Sequence, residues 1–166
     1  MKQLLVSSEV CVGCKSCELA CAVAHSRTKA LFSAVQEPEH PKKRVFVETD
    51  GRFNVPLQCR QCSDMPCVHA CMSDAMYRDP ETGLVQVNSK QCVGCWMCVM
   101  VCPFGVITEG TARQVVKCDR CRELDYEPAC VLACPTKALQ WVEVDRFAAA
   151  GRRSWVNHMK EANSHA

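Results

Sequence analysis

The sequence is poor in aromatic residues and has no long apolar run. Aromatic side chains make up 6% of the 166 residues, and 16 of the residues counted in its 48% hydrophobic share are cysteines. The remaining apolar side chains offer only a modest core for one compact unit or two small ones. A conventional enzyme core is therefore not expected, and something besides apolar burial must hold the fold together.

Residues 1–10 lack the apolar segment of a secretory signal. Their short apolar stretch, Leu4 to Val6, ends at Ser7, whereas a signal peptide needs roughly 7 to 15 apolar residues in a row. No stretch of the sequence approaches the ~18 apolar residues of a membrane span. These features predict a cytoplasmic protein, whose thiols stay reduced and available to metal.

Cysteine is the residue that the sequence has in excess. The 16 cysteines fall into four groups of four, which leaves none for a disulfide or a thiol nucleophile. Groups one and three have the spacing C-x2-C-x2-C-x3-C, group two has C-x2-C-x4-C-x3-C, and group four has C-x2-C-x8-C-x3-C. In chain order the groups are Cys11, Cys14, Cys17 and Cys21; Cys59, Cys62, Cys67 and Cys71; Cys92, Cys95, Cys98 and Cys102; and Cys118, Cys121, Cys130 and Cys134.

This spacing favours four [4Fe-4S] clusters. Two intervening residues let a looped backbone turn successive thiolates towards neighbouring iron corners. The last gap is one helical turn, which predicts that the third and fourth cysteines share a helix face and lie ~6 Å apart along its axis. The fourth cysteine can then serve a second cluster. Pro103 and Pro135 complete the run of bacterial two-cluster ferredoxins, in which the fourth cysteine ligates the other cluster.

Other metal chemistry fits the spacing less well. Structural zinc usually takes two cysteine pairs separated by a longer loop, not three closely spaced cysteines with a fourth nearby. Radical chemistry on S-adenosylmethionine uses a C-x3-C-x2-C cluster with an open iron corner, and no group has this spacing. Clusters with four cysteine ligands have no vacant position for a substrate. The sequence therefore predicts an electron-transfer protein and not an enzyme.

The segments between the groups predict an α+β, ferredoxin-like arrangement of short strands, cluster loops and short helices. Asp50-Gly51 indicates a hairpin. Residues 145–166 contain no cysteine and predict either a solvated tail with a few apolar anchors, which is favoured, or a partner-docking helix interrupted near Gly151 and anchored by Trp155. Strands are predicted at residues 4–6, 45–48, 53–55, 84–87, 105–108, 114–116 and 139–144.

Charge supports a bound anionic cargo. The formal net charge is +2 with neutral thiols, and sixteen thiolates with four doubly positive cluster cores would bring it to about −6. Basic residues among the ligands are interpreted as partial compensation: Lys15, Arg60, Lys117, Arg120 and Arg122. Residues 42–44 form a basic run interpreted as a solvated loop.

A histidine, a tryptophan and four methionines near the cysteines are interpreted as exposed or packing side chains, not as metal ligands. His69 is predicted to be exposed or to lie behind the ligands, and Trp96 to pack at a cluster. The methionines Met72, Met76, Met97 and Met100 are interpreted as adaptable packing around irregular cofactors.

Three stretches resemble the four-cluster electron-transfer subunits of the dimethyl-sulfoxide-reductase superfamily. They are residues 58–71, with Gln58-Cys59-Arg60-Gln61-Cys62 and Pro66-Cys67-Val68-His69-Ala70-Cys71; residues 79–83; and residues 92–105. Within that superfamily the chain is most similar to the iron–sulfur subunit that accompanies nickel-containing carbon monoxide dehydrogenase. The cysteine framework covers the chain to about Trp141.

The resemblance implies two nested modules, each like a bacterial 2[4Fe-4S] ferredoxin. Groups one and four form an outer module from residues 1–57 and 103–144, groups two and three form an inner module from residues 58–102, and residues 145–166 are an extension. The implied ligand sets are Cys11, Cys14, Cys17 and Cys134 (site one); Cys59, Cys62, Cys67 and Cys102 (site two); Cys92, Cys95, Cys98 and Cys71 (site three); and Cys118, Cys121, Cys130 and Cys21 (site four).

The resemblance also implies partners. Electrons would pass from carbon monoxide dehydrogenase to a hydrogenase or a flavin-dependent NAD(P) reductase, with no nucleic acid and no membrane span involved. Two alternatives stay open at this stage. One is the same role in a formate dehydrogenase, hydrogenase or molybdopterin oxidoreductase complex, and the other is a free soluble polyferredoxin.

Overall fold

Four small antiparallel sheets, each of two strands, organise the chain. The computed structural model describes residues 2–125 and 127–164, and within them eight strands pair. The pairs are β1 (Lys2–Val6) with β8 (Leu139–Glu143), β2 (Val45–Thr49) with β3 (Asn54–Gln58), β4 (Met76–Arg78) with β5 (Val85–Val87), and β6 (Thr108–Glu109) with β7 (Val115–Val116). The pairing of β1 with β8 brings the first strand to the end of the cysteine-containing region.

Short helices follow the cysteine loops. They are α1 (Ser16–Ala24), α2 (Leu31–Val35), α3 (Pro66–His69), α4 (Met97–Met100) and α5 (Ala129–Leu132), and a long helix, α6 (Val144–Ser164), ends the described chain. Helix α1 packs against α5, and α3 packs against α4. The predicted α+β class, with short strands and short helices, is confirmed.

The apolar core is divided into small clusters that include cysteines. Leu4, Val45 and Leu139 are buried together with Cys17, Cys21 and Cys130. A second cluster contains Met76, Val85, Ile107 and Val115 together with Cys98, and a third joins Val106 to Cys59 and Cys118. Because thiols occupy core positions, whatever the thiols bind is part of the packing, as the scarcity of large apolar residues predicts.

The predicted strands are mostly confirmed, with two differences. Strand β4 was not predicted, because its three residues show no clear alternation of apolar and polar side chains. The strand predicted at residues 105–108 is wrong except at its last residue. Gly105 has φ of +61°, a left-handed conformation that strands do not contain, so pairing begins only at Thr108.

The hairpin predicted at Asp50-Gly51 connects β2 to β3. The Asp50 carboxylate accepts hydrogen bonds from the backbone N–H groups of Arg52 and Phe53, at 2.8 and 2.7 Å, and these bonds fold the loop.

Helix α6 corrects the prediction for the C-terminal extension. The helix continues through Gly151, where an interruption was predicted, since one helical glycine costs only about 1 kcal/mol relative to alanine. Its apolar side chains do not anchor it, because Phe147 is 48% and Trp155 is 65% exposed. The extension is solvated, as the favoured interpretation holds, but it is helical. Residues 165 and 166 of the predicted extension lie outside the described residues.

Candidate iron–sulfur sites

Two enclosed cavities lie inside residues 58–107 and nearby loops, and each is lined by four cysteines. One contains Cys59, Cys62, Cys67 and Cys102, together with Met65, Val85 and Ile107. The other contains Cys71, Cys92, Cys95 and Cys98, together with Trp96 and Val115. These are the sets implied for site two and site three. In each cavity, three cysteines of one group meet the fourth cysteine of another group.

The outer cysteines also meet across groups. Cys134 lies close enough to Cys17 for its charge to raise the pKa of that thiol. In the same way, the charges of Cys118 and Cys121 raise the pKa of Cys21. The charges of Cys118, Cys21 and Cys121 raise the pKa of Cys130. These neighbours include the four cysteines implied for site four, and Cys17 with Cys134 from the set implied for site one. The carbonyl of Cys11 accepts a 3.3 Å hydrogen bond from the Asn54 side chain, which ties the first cysteine to β3.

A common local structure presents the third cysteine of each group. Cys17, Cys67, Cys98 and Cys130 are each the second residue of a helix. The preceding loops turn sharply through left-handed residues, and Gly94 shows why glycine is needed there. Gly94 has φ of +68°, and a Cβ atom at this position would lie 2.3 Å from the carbonyl oxygen of Arg113. Any side chain would displace the loop that carries Cys95.

The fourth cysteines differ from the prediction that they share a helix with the third. Only Cys21 lies inside a helix. Helices α3, α4 and α5 each end two residues before the fourth cysteine. There the chain leaves the helix through a tighter turn, in which the N–H of the cysteine donates to the carbonyl three residues earlier. These bonds are Cys71 to Val68, Cys102 to Val99 and Cys134 to Val131.

Burial raises the pKa of several of these thiols. It raises the pKa of Cys17 to about 11, that of Cys98 to about 11 and that of Cys21 to about 12, and neighbouring thiols add to each shift. The pKa of Cys130 is raised further for the same reasons. Iron binds thiolates, so loading these sites releases protons and replaces neutral thiols by anions.

Two fourth cysteines already accept hydrogen bonds at sulfur. The backbone N–H of Arg44 donates to Cys21 Sγ at 3.2 Å, and that of Met76 donates to Cys71 Sγ at 3.3 Å. Donors of this kind stabilise a thiolate more than a thiol. At Cys21 this hydrogen bond only partly offsets burial, and the pKa stays raised, whereas at Cys71 hydrogen bonds outweigh burial and lower the pKa.

Several buried side-chain donors and one acceptor have no hydrogen-bond partner in the described part of the chain. Among the described residues, these include Arg44 Nε, both polar atoms of the Gln58 amide, Gln86 Nε2, and two guanidinium nitrogens of Arg120. A buried polar group without a partner costs free energy. A cluster supplies acceptors at its sulfurs, so the unpaired N–H donors of this set fit an iron–sulfur group, whereas the Gln58 oxygen does not bear on it.

The thiols surround a volume and not a point. Within the described ranges, no three histidine, cysteine or acidic side chains converge as ligands of one metal ion. A tetrahedral zinc site would hold four sulfurs about 2.3 Å from a single ion, whereas each thiolate of a [4Fe-4S] cluster binds a different iron.

An ion-pair network that the spacing did not reveal lies beside site four. Asp119 contacts His25 Nε2 at 3.2 Å and Arg44 Nη1 at 2.5 Å, and its carboxylate also accepts from the N–H of Cys121 at 3.0 Å. Although burial opposes it, His25 and Arg44 hold the pKa of Asp119 well below its usual range. The network fastens the group-four loop to the segment after α1. Its one sequence signal is an acidic residue placed between two ligand cysteines.

Other side chains singled out in the sequence have mixed outcomes. His69 is exposed and Trp96 packs at the site-three cavity, as predicted. The solvated loop predicted at residues 42–44 is wrong for two residues, because Lys43 pairs with Glu18 and Arg44 with Asp119.

The methionines and the basic residues near the cysteines include both buried and exposed side chains. Met76 is buried in the core, as the packing interpretation predicts, whereas Met72 and Met100 are 80% and 78% exposed. Of the basic residues, Lys117 and Arg120 are buried, and Lys15, Arg60 and Arg122 are exposed.

Comparisons with known proteins agree with this chemistry. The family model of the 4Fe-4S dicluster domain matches residues 52–144, which contain groups two, three and four. An iron–sulfur protein of Rhodospirillum rubrum is 41% identical over 93% of this chain and 89% of its own length. The electron transport protein HydN of Escherichia coli (strain K12) is 33% identical over 90% of this chain and 94% of its own. The thiosulfate reductase electron transfer subunit PhsB of Salmonella typhi is 36% identical over 86% of this chain and 76% of its own.

The fold and the grouped thiols define an iron–sulfur protein of the electron-transfer class. The chain belongs to the 4Fe-4S dicluster domain family. The prediction of an electron-transfer protein rather than an enzyme is confirmed by the relatives, two of which are named for electron transport or transfer.

None of the helices in residues 2–125 and 127–164 combines the length and the apolar character that a membrane crossing requires.

Proposed function

We propose that this chain is a cytoplasmic electron relay of four [4Fe-4S] clusters, which takes electrons from carbon monoxide dehydrogenase and passes them to a hydrogenase or a flavin-dependent NAD(P) reductase. The observation that carries the relay is the meeting of thiols from different groups around four sites. A [4Fe-4S] cluster takes up and releases single electrons, with a potential tuned by charge, hydrogen bonds and exposure.

The proposed ligands are the four crossed sets. Sites two and three are supported by the two cavities that these sets line. Sites one and four are supported by the influence of Cys134 on Cys17, and of Cys118 and Cys121 on Cys21. We propose the corresponding nested modules, residues 1–57 with 103–144 outside and residues 58–102 inside. The pairing of β1 with β8 and the packing of α1 on α5 and of α3 on α4 support this division.

Contacts between the sets suggest their order. Cys17 of site one lies close enough to Cys130 of site four to raise its pKa. Cys59 of site two raises the pKa of Cys118 of site four in the same way. Cys67 of site two does so for Cys98 of site three. The proposed sequence is one, four, two, three. Cys14 and Cys95, in the two terminal sites, are exposed, whereas Cys59 and Cys118 in the middle are buried. Electrons would therefore enter and leave at the ends.

The proposed donor rests on resemblance. The stretch from Gly94 to Gly105 resembles the iron–sulfur subunits that accompany carbon monoxide dehydrogenase, and the compact chain fits such a subunit. HydN and PhsB, which are relatives at 33% and 36% identity, support the broader role of an electron-transfer protein within redox complexes.

The donor is tested by mixing the oxidised holoprotein with carbon monoxide dehydrogenase under carbon monoxide. We expect the visible absorption near about 400 nm to bleach, as it does when iron–sulfur clusters are reduced. Dithionite is the control for intact clusters. Bleaching by dithionite but not by the enzyme would assign another donor, and a protein without iron and sulfide would end the relay proposal.

We further propose that α6 docks the chain to a partner subunit. The helix exposes Phe147, Trp155, Val156 and Met159, and large aromatic residues of this kind commonly anchor interfaces. A truncation before Val144 is expected to abolish co-purification with the partner while iron per chain stays unchanged, because the helix carries no ligand. Trp155→Ala should also reduce the amount of partner that co-purifies with the chain. Unchanged co-purification of the truncated protein would exclude docking through α6.

A further inference from the structure

Lys117 is a charged side chain buried at the boundary between the two proposed modules. Its residue surface is 3% exposed. Its Nζ donates hydrogen bonds to the carbonyl of Val85, at 2.5 Å, and to that of Cys118, at 3.0 Å. The side chain therefore reaches from the residue after β7 to β5.

The two carbonyl partners belong to the surroundings of different sites. Val85 lines the cavity of site two, and Cys118 is a ligand of site four. Burial raises the pKa of Cys67, a ligand of site two, and the Lys117 ammonium opposes that rise. It acts in the same direction on Cys118. One positive charge thus faces thiols of both sites.

No salt bridge joins Lys117 to a carboxylate among residues 2–125 and 127–164. The ion pairs of the described chain use other basic residues, namely His25, Lys29, Lys43, Arg44 and Arg146. Backbone carbonyls satisfy two N–H groups of the ammonium but do not neutralise it, and an isolated buried charge is costly. The compensating negative charge must come from the thiolates and the cluster that they hold.

Arg120, the other buried cation near group four, also opposes the rise that burial causes in the pKa of Cys118, but its side chain extends towards the first strand. It is 2% exposed, stacks over Trp141 at 5.4 Å and contacts Gln3, so it faces the β1–β8 sheet. Of these two cations, Lys117 is the one that also contacts the surroundings of site two, through the carbonyl of Val85.

We propose that Lys117 is a fixed counter-charge that raises the reduction potentials of sites two and four, and so stabilises an electron at the two sites that adjoin the boundary between the modules. The inference rests on the proposed ligand sets. Reduction adds one negative charge to a site, and a nearby buried cation stabilises that charge. When one electron crosses the boundary, one site is oxidised and its neighbour is reduced. No proton or bond changes, so the role of Lys117 is purely electrostatic.

The test is a redox titration of the isolated holoprotein, followed by electron paramagnetic resonance. In Lys117→Gln, which keeps hydrogen-bonding capacity but removes the charge, we expect at least one cluster to become about tenfold harder to reduce, a downward shift of about 59 mV for one electron. Lys117→Arg should titrate like the original protein. Lys160→Gln, which removes an exposed lysine of α6, is the matched control for net charge.

Ionic strength separates a buried charge from a surface effect. At about 1 M salt the Debye length is roughly 3 Å, which screens exposed charges strongly and buried charges much less. The shift in reduction potential of Lys117→Gln should therefore persist at this salt concentration. Potentials that equal those of Lys160→Gln, in a variant with its full iron content, would overturn the proposal. If Lys117→Gln loses iron while Lys117→Arg keeps it, the charge is required for loading, which supports the proposal. If both variants lose iron, the role is one of shape and the proposal is wrong. Absence of clusters from the original protein would instead refute the proposed function.

Discussion

Replacement of Cys21 by alanine is expected to remove about half of the iron and of the acid-labile sulfide from the holoprotein. Cys21 lies on α1 four residues after Cys17, and it is buried beside Cys118, Cys121 and Cys130. Its loss leaves site four with three thiolates. It also leaves a gap where α1 packs against α5, the helix that precedes Cys134 of site one. Both outer sites should therefore fail together, while the inner sites keep their iron.

Two matched variants make this result interpretable. Ala20→Ser changes the neighbouring residue of α1 without touching a ligand and should keep the full iron content. Cys71→Ala removes the corresponding cysteine of group two and should take iron from the inner pair. A Cys21→Ala protein that retains its full iron content would contradict the crossed ligation and its structural role.

Replacement of Cys95 by alanine is expected to stop transfer through the protein while most clusters remain. Cys95 is an exposed ligand of site three, at one end of the proposed order. Its loss should remove about a quarter of the iron, since each of four clusters holds an equal share. Transfer from donor to acceptor should fall to the level seen without the protein, because one partner no longer has a nearby cluster. Reduction of the other clusters from the opposite end should continue.

The reciprocal variant is Cys14→Ala, at the exposed end of site one. Cys14→Ala should stop electron transfer with the partner whose electron transfer Cys95→Ala leaves unaffected. Bleaching by the donor and reduction of the acceptor are measured separately, so each variant identifies the end used by each partner. A Cys95→Ala protein that has lost a quarter of its iron but transfers at the original rate would refute the proposed order.

Much of the fold was predictable because its signals are local. The cysteine spacing, the short alternating strands and the Asp50-Gly51 turn each depend on a few neighbouring residues, and the strands and the turn are found where predicted, apart from residues 105–108. The helix through Gly151 was misjudged because one glycine is a weak breaker when its neighbours favour a helix. The short helices end before Cys71, Cys102 and Cys134, which no spacing rule indicates.

The parts that escaped prediction depend on residues far apart in the chain. His25 and Asp119 are 94 residues apart, and Lys117 reaches a carbonyl 32 residues away. Such contacts arise only when the sites bring their segments together. The meeting of Cys71 with group three and of Cys102 with group two was implied by resemblance, and spacing alone left it open.

The pairing of β1 with β8 has a consequence for how the protein is made. Strand β1 is synthesised first, but its partner is complete only at Glu143. Cysteines 59–102, in contrast, leave the ribosome as one continuous segment. A unit folds during synthesis once its own segments are complete, so the proposed inner sites can receive iron while the N-terminal strand still lacks its partner. We expect the protein to mature from the inside outwards, with the last strand closing the outer sites over a finished centre.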